Sequence, residues 1–511
     1  MKETLIDIET YSEVDIGKCG LYRYATDPSF EILLVAWATD EGNGFGEARC
    51  ADLASGEPLP EELLEDFQSG NVRLIAHNAS FERVCFSVHL QRHLPGQYLK
   101  PGEFLSPDSW ICTMVMAASL TLPMALKDVG AVLKTSQQKD KEGERLIKLF
   151  SMPCKPTKSN GMRTRNLPEH YPADWEKFKY YCIQDVNTEV DIYKRLKKFP
   201  MPEQEWKHYR VNERINDRGV KIDTELVQQA IACDLMLSDA MSKKAYELTG
   251  LENPNSVSQL KSWLDERGIP MDTLGKKDVA QMIEELDKNG VDAEAMDMLK
   301  LRLQMAKSSV KKYQAAERCV CSDGRARGLF QFYGASRTGR YSGRNIQLQN
   351  LPQNHISTLD EARELVKLGC FDMVETIYGN TPDVLSQLIR TMLIPREGCE
   401  FIVADFSAIE ARVLAWEAGE DWRLEAFLEG KDIYCASASQ MFHVPVVKHG
   451  INGELRQKGK VAELACGYGG SSGALISMGA LQMGLKEEEL PEIIDSWREA
   501  NPKIVQYWWD V

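Results

Sequence analysis

Two carboxylates, Asp7 and Glu9, stand two residues apart in the apolar run Leu5-Ile6-Asp7-Ile8-Glu9-Thr10. On a strand, that spacing puts both acids on one face and turns Ile6 and Ile8 toward the core. Adjacent like charges repel, so the pair is costly unless a cation lies between them. An ordinary strand end with exposed acids has the same spacing. A second group is Ala76-His77-Asn78-Ala79-Ser80-Phe81-Glu82, where an apolar strand signal runs into a polar turn and then a helix carrying Glu82 in its first turn. A capping turn with a dipole-matched acid fits equally well. In a third, Tyr180-Tyr181-Cys182-Ile183-Gln184-Asp185, Tyr181 and Asp185 are four apart and share a helix face.

A second series lies further on. Thr338-Gly339-Arg340-Tyr341-Ser342-Gly343 leads to Leu348-Gln349-Asn350-Leu351-Pro352. Glycines, an arginine and amides in this order suit a loop that touches a nucleic-acid backbone and base edges, and also a plain polar surface loop. Glu400–Ala404 reads as an apolar strand ending at Asp405, with a helix signal from Phe406 through Glu410 and Arg412. An acid in that place is a metal position or an N-cap. Then Arg456, Lys460, Leu464 and Tyr468 recur every four residues. On a helix they form a slowly drifting stripe of two cations, an apolar platform and an aromatic. That order suits a nucleoside triphosphate, phosphates at the cationic end and base at the other; a basic amphipathic helix shares it.

The elements that must hold these groups divide the chain into three. Residues 1–200 alternate strand signals (Thr4–Ile8, Glu31–Ala38, Arg73–Ala76) with helix signals (Phe81–Leu90, Pro172–Leu196), an α/β pattern. Pro200 and Pro202 break the chain, and residues 201–325 are long, charged and helical, as in Val279–Lys288 and Ala293–Tyr313. Residues 326–511 return to mixed α/β, with strand signals at Gly328–Phe332 and Glu400–Ala404. At 511 residues the chain exceeds a single core.

Composition narrows the classes. The chain is 43% hydrophobic and 27% charged, with no apolar run long enough for a membrane span. Its 13 scattered cysteines form no Cys-x-x-Cys pair, which predicts reduced thiols in a cytoplasm. The net charge of −15 weighs against nucleic acid as a partner. Its distribution weighs the other way: between Lys300 and Arg344 there are eleven Lys or Arg and two acids, Glu317 and Asp323.

Taken in order, the first three groups resemble the exonuclease motifs of the DnaQ-like proofreading superfamily. The resemblance covers about 190 residues. It implies an RNase H-like fold and a 3′–5′ exonuclease acting on a single-stranded DNA 3′ end. It further implies two Mg²⁺ (or Mn²⁺) ions bound by Asp7, Glu9 and Asp185, with Tyr181 orienting the water and Asn78 and Phe81 holding the terminal nucleotide. The family usually has Asp where this chain has Glu82, one methylene longer.

The second series resembles the family A, polymerase I-like DNA polymerases, especially bacteriophage-type members lacking a 5′ nuclease domain. Thr338–Pro352 is similar to their primer–template contact motif, Asp405–Ala415 to motif A, and Arg456–Gly469 to motif B. The resemblance implies that Asp405 and the Phe406 carbonyl bind two catalytic ions. Glu410 would crowd the sugar 2′ position, Arg456 and Lys460 would hold the dNTP triphosphate, and Tyr468 would pack near the templating pair. Arg340, with Gln349 and Asn350, would contact primer–template DNA. The family usually has Phe or Tyr where this chain has Leu464. The expected architecture is thus multidomain α/β: an RNase H-like exonuclease domain, a helical thumb, and a partial palm and fingers.

None of the eight histidines is followed by Asp, so motif C, the His-Asp-Glu turn with the second metal-binding aspartate, is absent from these residues. The expectation is therefore a proofreading replication polymerase, truncated or split, competent as an exonuclease but not as a polymerase alone. An accessory replisome protein or a second chain carrying motif C would be its partner, in the host cytoplasm if phage-encoded. The alternatives are an exonuclease whose polymerase-like part only grips primer–template DNA, and a non-catalytic DNA-binding scaffold.

Overall fold

The run Lys2–Tyr11 becomes the central strand β1, with Leu5 and Ile6 fully buried. β1 pairs antiparallel with β2 (Glu31–Asp40), which pairs antiparallel with β3 (Arg49–Asp52). On its other side β1 pairs parallel with β4 (Val72–Ala76), and β4 with β5 (Trp110–Cys112). The resulting sheet has the order β3-β2-β1-β4-β5. This computed structural model describes every residue except 136–140, 290–291, 306–309, 336–337, 482 and 484.

Two features of β1 place its acids. Its pairing with β4 stops at Leu5↔Ile75, so Asp7 and Glu9 lie past the carboxyl end of that neighbour. Against β2, the register changes between Glu9↔Leu34 and Thr10↔Ile32, leaving Leu33 as an extra residue. A bulge of this kind bends a strand and re-aims the side chains beside it.

Helices cover the sheet. Ser80–His93 follows the turn after β4, and Pro172–Leu196 crosses β1 and β2. Pro172 at its first position and Asp174 in its first turn suit a helix start. Glu203–Arg218 comes next and ends at Gly219, whose φ of +59° and 2.3 Å Cβ approach to the Ala326 carbonyl leave no room for another residue.

Two further cores involve the helical middle, the second of them shared with residues past 326. Leu260, Leu264, Met298 and Leu299 build one; Leu226, Tyr313, Leu385 and Leu388 build the other. The predicted Val279–Lys288 helix lies within Lys276–Asn289. The predicted Ala293–Tyr313 helix is observed as Ala293–Met305 and from Val310 on; residues 306–309 lie outside the described set. The strand expected at Gly328–Phe332 runs Phe330–Ala335 and forms a hairpin with Arg340–Gly343.

By contacts the chain separates into Met1–Glu400 and Phe401–Val511. The second unit is helical, with Met441, Val461, Cys466, Trp497 and Ile504 in its core. The strand expected at Glu400–Ala404 is not formed: residues 401–406 are irregular and exposed, with Ile402 and Val403 each 91% accessible. Apolar residues favour a strand only where a neighbour takes up its N–H and C=O groups, and no described strand pairs here. The helix expected from Phe406 begins at Ile409. No described helix is long and apolar enough to cross a membrane, and all 13 cysteines are free thiols.

A buried ion cluster ties the Ser80–His93 helix to the Glu203–Arg218 helix. Arg83, 1% exposed, donates to Asp217 through both terminal nitrogens (2.8 and 2.9 Å) and to Glu213 at 3.0 Å. Ser80 and Tyr22 add hydroxyl donors to Glu213 and Asp217, each at 2.7 Å. Removing one partner of such a set leaves charges buried without compensation. Arg83→Ala should therefore destabilise the protein by about 3–5 kcal/mol, read as a lower urea midpoint of the transition that melts Met1–Glu400.

Candidate functional site

The folded chain brings Asp7, Glu9 and Asp185 together: one carboxylate oxygen from each lies within 4.8 Å of the others. Among the described residues this is the single group of three or more potential metal ligands. Asp7 and Glu9 share a strand face, as their spacing predicts, and Asp185 comes from the Pro172–Leu196 helix packed across that face. Glu9 and Asp185 are buried, and Asp7 is half-buried. Three such carboxylates repel unless a cation lies among them, and an all-oxygen set suits Mg²⁺ or Mn²⁺.

Tyr181 stands one helical turn before Asp185 and is buried. Burial, then the charges of Asp185 and Glu9, raise its hydroxyl well above the usual phenol range, so it stays protonated and able to donate. The Lys141–Phe150 helix presses against it: a Cβ built on Gly143 would meet the Tyr181 ring at 2.1 Å. Cys182, the next residue, directs its thiol at Asp7 Oδ2 from 3.6 Å.

Glu82 is placed differently from the other acids. It is 3% exposed, in the first turn of the Ser80–His93 helix, and stands outside the converging triad. Burial and the nearby Asp7 charge push its carboxyl well above the ordinary range, and its Oε2 has no hydrogen-bond partner. The turn ahead of it is fixed by Asn78, whose φ of +73° is left-handed and whose carbonyl accepts from the Phe81 N–H at 2.7 Å. Neither ring nitrogen of His77 faces a metal position: Nδ1 meets Thr113 Oγ1 and Nε2 meets the Met124 carbonyl.

Two cavities adjoin these residues. One of about 450 Å³ is lined by Glu9, Thr10, Tyr24, Phe81 and Met152. Phe81 and Tyr24 stand 6.4 Å apart there, an aromatic wall of the kind bases stack on. A larger one, about 710 Å³, is lined by Asn78 and Phe81 together with Arg318, Arg344 and Gln347.

Sequence reading missed four contributors: Gly143, Arg83, Cys182 and Glu189. Glu189 carried the one usable signal, being four residues beyond Asp185 and hence on its helix face.

The second series is described within its own units. Arg340 is exposed on the hairpin, and Gln349 and Asn350 are exposed in the short turn that follows. In Phe401–Val511, Asp405 and Phe406 lie exposed in the irregular segment. Arg456, Lys460 and Leu464 share the Leu455–Cys466 helix, and Tyr468 lies just past its end. The Tyr468 hydroxyl donates to Glu410, which joins the predicted sugar-side and base-side residues. Arg456 pairs with Asp432 at 2.8 Å and lies over the Tyr434 ring. Behind this face, the fully buried Arg423 forms two hydrogen bonds with Glu463 of the same helix, at 2.5 and 2.7 Å.

Known proteins resemble the chain along its whole length. The model of DNA polymerase family A matches residues 229–511. A DNA polymerase of Bacillus phage SP02 is 53% identical over 511 residues, covering all of this chain and 76% of that protein. DNA polymerase I of Geobacillus stearothermophilus is 27% identical over 293 residues, 57% of this chain and 30% of that protein. Among solved structures, the POL domain of Pol1 from M. smegmatis, in complex with DNA primer-template and dNTP, superposes with a TM-score of 0.58 at 17% identity. That match covers 100% of this chain and 74% of the other. It is a likeness of fold.

Gly143 yields a packing test. Gly143→Ala should cost about 1–3 kcal/mol through overpacking against Tyr181. In a Tyr181→Ala background the same change should cost much less. Thermal unfolding of the four proteins in this cycle checks both, and equal costs would mean that the clash is not with Tyr181.

Proposed function

The chain belongs to DNA polymerase family A, and from that premise we propose that residues 1–200 are its 3′–5′ proofreading exonuclease domain. Residues 201–325 are assigned as the thumb and 326–511 as part of the palm and fingers. The observation that carries the exonuclease reading is the convergence of Asp7, Glu9 and Asp185 beside Tyr181 at the end of a five-stranded mixed sheet. The sheet order β3-β2-β1-β4-β5, with β2 antiparallel to β1, is also that of an RNase H-like fold.

The triad fits divalent cations in number, charge and donor type, and Asp7, Glu9 and Asp185 would hold them. Such ions, when bound, would supply Lewis acidity for hydrolysis of a phosphodiester. The protein's own groups do the rest. Tyr181 keeps its proton and holds the attacking water by a hydrogen bond. Phe81 and Tyr24 stack the terminal base in the cavity beside Glu9, and Asn78 bonds the nucleotide's polar edge. Burial of Glu9 and Asp185 excludes bulk water, which strengthens each charge interaction within the site.

For polymerisation, Asp405 and the Phe406 carbonyl are assigned to the metals, Arg456 and Lys460 to the dNTP triphosphate, and Glu410 to the sugar 2′ position. Tyr468 is assigned to the templating pair and Leu464 to the platform between. Arg340, Gln349 and Asn350 are assigned to primer–template DNA. Asp432 holds Arg456 beside Tyr434, so triphosphate binding must exchange one anionic partner for another. Residues 1–511 are proposed not to polymerise appreciably alone, because two-metal transfer needs a second carboxylate beside Asp405 and no His-Asp pair supplies it. A phage-encoded chain of this kind would act in replication in the host cytoplasm.

Asp7→Ala should reduce Mg²⁺- or Mn²⁺-dependent degradation of single-stranded DNA from the 3′ end by about 10²-fold or more. Asp405→Ala should leave that degradation nearly unchanged. A gel assay on 3′-tailed and primed DNA, with and without dNTPs, reads both; normal digestion by the Asp7 variant sinks the site, and robust primer extension by residues 1–511 shows that no further carboxylate is needed beside Asp405.

A further inference from the structure

Asp432 is not among the groups assigned to polymerisation, yet it is bonded to one of them. It is the N-cap of the helix Ile433–Phe442. Its Oδ1 accepts the backbone N–H groups of Tyr434 and Cys435 at 3.0 and 3.1 Å. Its Oδ2 accepts from Arg456 twice, from Nε at 3.0 Å and from a terminal nitrogen at 2.8 Å. One carboxylate thus serves a helix end and a guanidinium at once, and both contacts are charge-assisted.

The two partners differ in freedom. Asp432 is short and is tied to its own helix by the cap. That helix packs directly on Leu455–Cys466, where a Cβ built on Gly459 would overlap the Tyr434 carbonyl and meet the Ala438 Cβ at 3.0 Å. Gly459 lies between Arg456 and Lys460 in sequence, so the close approach falls on the cationic turn. Buried pairing of Arg423 with Glu463 holds the same helix from its core side. Arg456 has a long unbranched stem, and its side chain is 22% exposed beside the Tyr434 ring. The guanidinium can therefore turn to another anion, while the negative charge of Asp432 stays where the cap fixes it.

We propose that Asp432 is a positioning residue that competes with the phosphates of the nucleotide for Arg456. It limits how firmly a polyphosphate is held, and its recapture of the guanidinium hastens the departure of pyrophosphate. The proposal rests on the assignment of Arg456 to the triphosphate.

The test is calorimetric binding of pyrophosphate and of dATP to residues 1–511, with stopped-flow dissociation of a fluorescent dATP analogue. Asp432→Asn keeps a capping oxygen and removes the charge. It should tighten binding of both ligands by about 2- to 5-fold, the size of a half-exposed ion pair, and slow dissociation by a similar factor. In an Arg456→Ala background the same change should have no effect. A carboxylate acting only as a cap would not tighten binding, and one that only repels phosphate would act in either background. Asp432→Ser, another neutral cap, decides the matter if the Asn variant does not fold. Unchanged or weaker binding by the folded variant overturns the proposal, as does equal tightening in the Arg456→Ala background. If Arg456→Ala by itself leaves both affinities at the wild-type value, the triphosphate assignment falls, and the proposal with it.

Discussion

The mutual repulsion of Asp7, Glu9 and Asp185 is the constraint on which the first unit depends. Their ligand oxygens lie within 4.8 Å of one another, an arrangement that opposes folding unless a cation joins them. The local architecture enforces it. β1 outruns β4 so that its acids lie past that strand's end while still paired with β2, the bulge opposite Glu9 bends the strand beside them, and the Pro172–Leu196 helix carries Asp185 to them. Close packing removes the remaining freedom. Gly143 lets the neighbouring helix touch the Tyr181 ring, which leaves the phenol no other place. A site strained by like charges and held by rigid elements favours a bound cation over relaxation.

The same unit contains an opposite solution to buried charge. Arg83 follows Glu82 in sequence, yet both terminal nitrogens of its guanidinium are bonded to Glu213 and Asp217 while Glu82 Oε2 has no hydrogen-bond partner. One helix turn thus carries an ion-paired cation and an acid whose Oε2 is unbonded. The compensated side attaches the site to Glu203–Arg218, a helix beyond the first 200 residues. That helix also reaches the hairpin, where the Asn216 amide donates to the Phe330 carbonyl and accepts the Phe330 N–H. The position of Glu82 is therefore set partly from outside the domain that would use it.

Phe401–Val511 repeats the contrast on a smaller scale. Arg423 and Glu463 neutralise each other in its core and stiffen the helix that bears Arg456, Lys460 and Leu464. On the outer side, polar groups engage one another: Tyr468 with Glu410, and Arg456 with Asp432. These contacts are exposed or half-exposed, so they exchange at little cost.

What the sequence determined was everything carried by short, regular spacing. The Asp7–Glu9 face, the Tyr181–Asp185 pair and the bounds Pro172–Leu196 follow from periods of two and 3.6 residues and from a proline start. The order of the motifs along the chain pointed to family A, to which the chain belongs. What tertiary structure alone decided depends on partners distant in sequence. Glu400–Ala404 has the composition of a strand but no described neighbour to pair with, so it is irregular and exposed. Glu82 stood in the sequence as one more acid of the exonuclease-like motifs, and only the fold shows it buried in the first turn of the Ser80–His93 helix, outside the triad. Glu189 resembled any acid on a long helix until the fold brought the backbone N–H of His77 to its carboxylate. Spacing fixes which side chains share a face; only packing fixes what that face meets, and hence whether a buried carboxylate is left for a cation.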